Sequence, residues 1–496
     1  MKQKAILSFI LIFSALLSAC AGGDTADTTA QTTAAETTTD AVSETESEYT
    51  SPGVDYEGAV FTILDYDTDE YFWQAATYSD INAEEENGDP INDAQYKRNM
   101  AVEEELNITL ETYPVGGVSR FDNANELRRL ILAGEDIVDA AFVFGREISN
   151  VLSEPGYLMN FNDISTMNLD ASWWDQNAIE TLTFGSNLKA VTGDISLYTQ
   201  FAPMLYFYNK NLAEQFGIDD CYDLVRQGEW TFDKVNEYCQ LVSNDLDGNS
   251  VMDENDRYGI ASQRPLLSDM LIASGVSYTS RDSEGGIELS LNNELTVNLV
   301  ERFVPFLNNG DINNIADLYN NKYSNPFYEM QLPMFTNNQI LFNFNQILIS
   351  FELRAMEADY GILPLPKYNV EQEDYITPMS MSWTTMLVIP ATNSRLEETG
   401  VVLDCLGYYS QQMVTPEFID TTIRHKSLRD EDSAEMLEIV LDKKVYDIAQ
   451  IYNFGGIIDT VNKLATSNST NFASVYQSVE SAVKTQIEKT LELIAE

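Results

Sequence analysis

Histidine is almost missing from this chain. His425, in TTIRHKSL, is the only one among 496 residues. A Ser-His-Asp or Cys-His machine would depend on that single imidazole, so His425 reads as a surface or structural residue. Cations are scarce as well: 28 Lys and Arg stand against 79 Asp and Glu, a formal net charge of −51. Nucleic acids are bound by cationic neutralisation of phosphates, so this balance argues against them. It equally disfavours adhesion to anionic lipid surfaces. No GxGxxG follows the first strand and no GxxxxGK[ST] occurs anywhere, which leaves both common nucleotide sites unsupported. There are no internal repeats. Cysteine is limited to Cys20, Cys221, Cys239 and Cys405.

What is present is globular, with 44% hydrophobic and 11% aromatic residues. The length exceeds one hydrophobic core and predicts two domains, built from discontinuous segments. The first residues, MKQKAILSFILIFSALLSAC, place Lys2 and Lys4 before an apolar run too short for a comfortable membrane span. They predict a signal peptide over 1–19. The end, LSAC, resembles the bacterial lipobox, which implies cleavage before Cys20 and lipid modification of its thiol. Residues 20–54 are rich in Thr, Ala and Glu and nearly free of large apolar side chains. Such a stretch cannot bury enough surface to offset its ordering entropy, so it is expected to be a disordered stalk. The protein is therefore expected at the extracellular face of a bacterial cell membrane, held by acyl chains. Three cysteines remain beyond Cys20. Cys221 and Cys239 are nearest in sequence, and both a bridge between them and separate buried thiols fit.

Along the folded part, AVFTILDY predicts a strand, NDAQYKRNMAVEEELN a helix, and ITLETYPV a second strand. ELRRLILAGED reads as a helix closed by Gly134, and IVDAAFVF as a strand. This alternation predicts an α/β fold with mainly parallel sheets flanked by helices. A second block holds APMLYFYNKNLAEQFGI and the helix of WTFDKVNEYCQLV. A third holds QILFNFNQILISFELRAMEADYGILPLPKY, and from Leu396 onward the chain reads as helical.

LYFYNKNLAEQFGI followed by GEWTFDKVNEYC resembles solute-binding family 1, the maltose-binding-protein-like receptors of ABC importers. LILAGEDIVDAAF, QLPMFTNNQILFNF and YGILPLPK resemble further segments of that family in the same order. The resemblance spans residues 59–496; a longer insert around AEEENGDPIND departs from it. It implies a two-lobe, periplasmic-binding-protein-like fold with crossings near 198–201, 339–345 and 388–391. Lobe one would hold 55–199 and 342–389, lobe two 200–341 and 390–496. It further implies a monomer that closes on a small solute, most simply a carbohydrate or oligosaccharide, and delivers it to ABC importer membrane subunits without catalysing a reaction.

DLDGNSVMDEND fits a calcium loop of EF-hand or dockerin type. Asp245, Asp247 and Asn249 take positions 1, 3 and 5. Val251 gives a carbonyl at position 7, Asp253 stands at position 9 and Asp256 at position 12. Ser250 occupies the usual glycine position. The cation expected is a structural Ca2+.

A sugar site needs aromatic faces against ring C–H groups, and amides or carboxylates for hydroxyls. Candidates at strand ends and crossings are Asp65 and Asp67 after the first strand, Trp173 and Trp174 in SWWDQN, and Asp194 and Tyr198 in TGDISLYTQF. Asn345 in FNFNQ and Trp383 in SMSWTT complete the set. One of the two adjacent tryptophans is expected in the core. Two alternatives stay open: a secreted glycoside hydrolase using two carboxylates, and a cell-surface scaffold or adhesin whose acidic loop is a dockerin fragment.

Overall fold

The structure is a computed structural model that describes residues 49–66, 78–115, 122–264, 266–282, 286–424 and 431–495. The signal peptide, Cys20, Asp67 and His425 lie outside them. Two mixed sheets organise the fold. The first has the order β12-β3-β1-β2, from Thr385–Val388, Ala140–Phe144, Ala59–Tyr66 and Ile108–Val115. β1 pairs parallel with β2 and β3, and β12 runs antiparallel to β3. The second has the order β10-β4-β9-β5-β8, from Tyr360–Leu363, Met204–Asn209, Ile340–Gln346, Tyr258–Ser262 and Asn313–Ile315. Here β5 is parallel to β8 and β9, and β4 is antiparallel to β9 and β10.

Local chemistry sets these elements where the sequence predicts them. Helix Pro90–Leu106 starts at Asp89, whose carboxylate accepts from the Ile91 and Asn92 amides, with Pro90 in the first turn. Helix Asn123–Ala133 stops at Gly134, whose φ of 68° suits a left-handed cap. β4 and β9 are buried along their whole length, as expected of central strands covered on both faces. Tyr206, Trp230 and Phe342 build the core over one of those faces.

Among the described residues, two passages carry the chain between the sheets, and they lie side by side with the end of β9. The Ile347 amide donates to the Pro203 carbonyl at 3.0 Å, and the Ser380 amide to the Ala202 carbonyl at 3.0 Å. Pro203 also bridges Met379. Beyond them β11 (Thr377–Pro378) pairs with β13 (Lys444–Val445). The passages therefore run through 202–204 and 379–384, where the chain changes sheets; 340–345 lie inside β9 of the second sheet and Val388 inside β12 of the first. β10 pairs with β4, so residues 360–363 belong to the second sheet and not to lobe one. Helices Leu396–Tyr409 and Thr415–Arg424 pack on Pro90–Leu106 of the first lobe. Helix Glu431–Asp442 then packs on β10, and Ile457–Thr466 on Leu267–Ala273 of the second. Helix packing, which the sequence pattern does not carry, divides the span from 390 onward between both lobes.

Two expectations change at the periphery. The last residues of the expected stalk are ordered: Tyr49 stacks on Tyr408 with centroids 3.8 Å apart and planes at 5°. Its hydroxyl donates to Glu105 Oε1 at 3.0 Å. Cys221, Cys239 and Cys405 are all free and buried, which decides between the two cysteine readings.

Candidate functional site

At the passages the lobes present one aromatic surface and one row of amides. Tyr198 lies near the end of the first-lobe segment, and Trp383 sits in the turn of the second passage. Their rings stack with centroids 5.7 Å apart and planes at 6°. Tyr198 is fixed from behind. Tyr66 and Phe144, at the carboxyl ends of β1 and β3, meet it edge-on at 4.9 and 5.4 Å. Its hydroxyl donates to the Tyr78 carbonyl at 3.0 Å. Trp383 remains part-exposed while Tyr198 is buried.

The amide row comes from the carboxyl ends of β5 and β9. Gln263 Nε2 donates to Asn345 Oδ1 at 3.3 Å, and Asn345 Nδ2 to Asn343 Oδ1 at 3.3 Å. Gln346 Nε2 reaches Ser380 Oγ at 3.5 Å. Ser380 in turn accepts the Trp383 amide through its carbonyl at 2.8 Å. Stacked indole and amide row are thus joined through one turn. An aromatic face beside neutral amides can take a ligand with C–H surfaces and hydroxyls.

Beneath this surface lies a buried ionic cluster. Asp65 accepts from the Tyr66 and Ile81 amides at 2.9 and 3.0 Å, and burial raises its pKa. Asp80 accepts the Tyr198 amide at 3.0 Å. Burial, and then the Asp65 charge, push its carboxyl up to about 7. Arg98 is fully buried and donates to the Asp80 carbonyl at 3.0 Å and to Ser410 Oγ at 3.2 Å. Desolvation lowers its pKa to about 10. Asp65 therefore supports the site by holding backbone amides: its lone pairs face the 81 turn.

Trp173, Trp174 and Asp194 come together beside Thr199 and Pro203, next to the first passage. They line a pocket of about 170 Å³ with Gln200, Thr415 and Lys444. Both indole N–H groups donate to Asp404 Oδ1 at 3.0 Å, so both tryptophans, not one, are core residues. Gly193 makes this packing possible, because a Cβ there would collide with the Trp173 carbonyl oxygen. Asp194 accepts from Thr415 Oγ1 at 2.6 Å and Gln411 Nε2 at 3.2 Å. Desolvation raises it to about 6. Gln200 Nε2 donates to Thr415 Oγ1 at 3.0 Å and Lys444 pairs with Asp175, so these polar side chains hold one another around the cavity.

The acidic loop follows Phe232–Val242. Carboxylate oxygens of Asp245, Asp247 and Asp256 lie within 4.8 Å of one another. Ser250 has a φ of 65°, the left-handed conformation that position 6 of such loops demands. Asp256 is fully buried and accepts from the Leu246 and Asp253 amides at 2.8 Å. Asp253 turns one oxygen to the Asn255 amide and Asn249 turns its oxygen to the Val251 amide. Three hard oxygen donors at this spacing fit a calcium ion, with Asn249, Val251 and Asp253 at the rim.

Sequence reasoning missed Asp80, Asp404, Gln263 and Gln346. Gln346 stands next to Asn345, and Gln263 closes a strand, so both were open to a strand-end argument. Asp404 carries no local signal, since its indole partners are more than two hundred residues away, and the Tyr198 amide that Asp80 accepts is 118 residues on.

No family model and no curated protein matches the chain. Solved structures do. An ABC substrate-binding protein of Listeria monocytogenes in complex with cycloalternan superposes with a TM-score of 0.55 at 11% identity, covering 86% of this chain and 99% of that one. The galacto-N-biose/lacto-N-biose I-binding protein of an ABC transporter from Bifidobacterium longum, in complex with lacto-N-biose, gives 0.54 at 11%, covering 88% and 98%. UgpB of Mycobacterium tuberculosis in complex with glycerophosphocholine gives 0.52 at 17%, covering 82% and 96%. At these identities the likeness is one of fold: the chain has the two-lobe α/β architecture of these solute-binding proteins.

Proposed function

We propose that this chain is an extracellular solute-binding protein, anchored by lipid at Cys20, that captures a carbohydrate between its lobes for an ABC importer. The observation that carries this reading is the Trp383–Tyr198 stack beside the Gln346–Asn345–Gln263 amides, at the passages about which two lobes would move. A sugar ring would lie on the part-exposed indole and give its hydroxyls to the amides. Desolvating those amides is favourable only for a ligand that satisfies them, which would give selectivity against apolar solutes. Closure stabilises the complex to the extent that the closed lobes hold the ligand more tightly than the open ones.

The role is capture without turnover. The carboxylates beneath the aromatic surface, Asp65 and Asp80, are buried and engaged with backbone amides, which favours a supporting role over glycosidase chemistry. In the loop 245–256, Asp245, Asp247 and Asp256 would hold a structural calcium ion and pin the chain between Phe232–Val242 and β5.

Thermal unfolding of the purified chain against a glycan panel in calcium tests this reading. A ligand that binds only the native state adds about 2.7 kcal/mol at a hundredfold excess over Kd. The panel includes maltotetraose, lacto-N-biose and glycerophosphocholine. A shift with one saccharide and no product formed is expected. A shift with glycerophosphocholine alone moves the ligand class away from sugars, and release of a hydrolysis product overturns capture without turnover.

A further inference from the structure

We infer that Arg281 is a positioning residue that latches the two lobes together and holds down the affinity of the ligand cleft without touching the ligand. The inference rests on the reading of the passages as a ligand cleft.

Arg281 ends strand β6 (Thr279–Arg281), which pairs antiparallel with β7 (Ile287–Leu289). This hairpin belongs to the second lobe. The Tyr278 amide and Thr279 Oγ1 donate to Asp447 at 2.7 and 3.1 Å, and the Tyr278 hydroxyl lies 2.7 Å from Ser268 Oγ. The guanidinium reaches out of that lobe. Arg281 Nη2 donates to the carbonyls of Glu180, Thr181 and Thr183 at 3.3, 2.6 and 2.8 Å. Its carbon lies 4.3 Å from the Phe184 ring centroid.

Those carbonyls are the open end of helix Gln176–Leu182, where the last turn has no intrahelical donors and the helix dipole favours a cation. The helix belongs to the first lobe, since Val191 just beyond it bridges Leu387 of β12. A planar guanidinium serves several carbonyls at once, which a lysine ammonium on a flexible stem does less well. The other end of the same helix is held too. Asp175, its cap, accepts from the Tyr446 hydroxyl at 2.9 Å and pairs with Lys444. Thr181 Oγ1 donates to the Tyr446 carbonyl at 3.1 Å.

Between these points the seam is loose. A cavity of about 160 Å³ is bounded by Glu180, Thr181, Ser280, Arg281, Tyr446 and Asp447. The lobes meet here through these polar contacts around a cavity that Ile287, Val445 and Ile448 also line. Arg281 is itself exposed, so replacing it opens no internal void.

The latch is made in an arrangement that leaves Trp383 part-exposed and within reach of solvent. It lies at the edge of the passages marked by β13, so rotation of one lobe about 202–204 and 379–384 displaces the hairpin from helix Gln176–Leu182. Closing over the platform then costs the latch contacts. The fraction of binding-competent molecules falls, and the apparent Kd rises by that fraction.

The test uses Arg281→Ala and Arg281→Lys in the full chain carrying Cys20→Ser. Spin labels at Leu132→Cys and Leu318→Cys report the distance between lobes; both positions are exposed, and the three native thiols are buried. For Arg281→Ala the expected result is cooperative unfolding as in the parent, a shifted or broadened distance distribution, and roughly three- to tenfold tighter binding of the panel ligand that stabilises the parent. Arg281→Lys falls between. An unchanged distance distribution overturns the latch, even if the melting temperature drops. A changed distribution with unchanged or weaker binding overturns its role in affinity. If maltotetraose, lacto-N-biose and glycerophosphocholine all fail to bind the parent, the cleft reading fails, and the distance distribution alone still decides the latch.

Discussion

Trp383 lies on Tyr198 with ring planes 6° apart and centroids at 5.7 Å, although 185 positions separate them (383 − 198). One ring is buried and the other part-exposed, so the indole is the member of the pair that solvent reaches. The first prediction follows from that asymmetry. Trp383→Ala should leave the fold intact and weaken saccharide binding by about 2 kcal/mol, as for a central aromatic anchor. Trp383→Phe should retain much of the affinity. Titration calorimetry with the panel ligand checks both, and unaltered binding by the alanine variant removes the platform from the site.

Acidity should stabilise this protein. Asp80 is held up to about 7, by burial first and the Asp65 charge second, against an ordinary value of 3.8. A carboxyl with a raised pKa binds its proton more tightly when folded, so its contribution is complete below about pH 4 and is lost as pH rises through 7. Asp194 and Asp269, both raised to about 6 by burial, act with the same sign. The melting temperature should be higher at pH 5 than at pH 8. Asp80→Asn should flatten that difference, which scanning calorimetry across the two pH values measures.

Calcium should raise the melting temperature, and chelation should lower it. Asp245→Ala should abolish the response at little cost to the apo protein, because Asp245 is part-exposed and accepts only amides of its own loop. Asp256→Ala should also destabilise the apo protein, by about 1 kcal/mol, because the buried Asp256 carboxylate is the acceptor of the Leu246 and Asp253 amides. An affinity in the range of extracellular modules, about 10⁻⁴ to 10⁻³ M, is expected. Calorimetric titration with Ca2+ reads both variants.

Tyr49 should fix where the folded body begins. Its stack on Tyr408 and its bond to Glu105 hold residues 49–58 against helices Pro90–Leu106 and Leu396–Tyr409. Tyr49→Ala should cost about 1–2 kcal/mol and open peptide bonds within residues 49–58 to protease. Mass spectrometry of limited digests locates the cut.

Much of the fold was legible because its signals are local. Asp89-Pro90 starts a helix and Gly134 ends one through caps that act over three or four residues. AVFTILDY forms β1 over its full length, and its β-branched and aromatic content is enough to say so. The aromatic pair was legible only as two candidates at strand ends. Their stacking depends on a turn at 380–383 whose backbone bonds reach Ala202.

The chain's own sequence determined its charge, the order of strands and helices, the acidic loop and the resemblance to two-lobe receptors, because each is written in composition or short-range pattern. Tertiary structure decided the rest. It placed β10 in the second sheet, moved the passages to 202–204 and 379–384, and gave both tryptophans of SWWDQN to Asp404, 231 and 230 residues away. It also turned Asp65 from a candidate ligand into a support for the 81 turn. A carboxylate or an indole reads alike at any position in a sequence. Whether it meets ligand, solvent or another side chain depends on desolvation and on partners brought from far along the chain, and those are properties of packing.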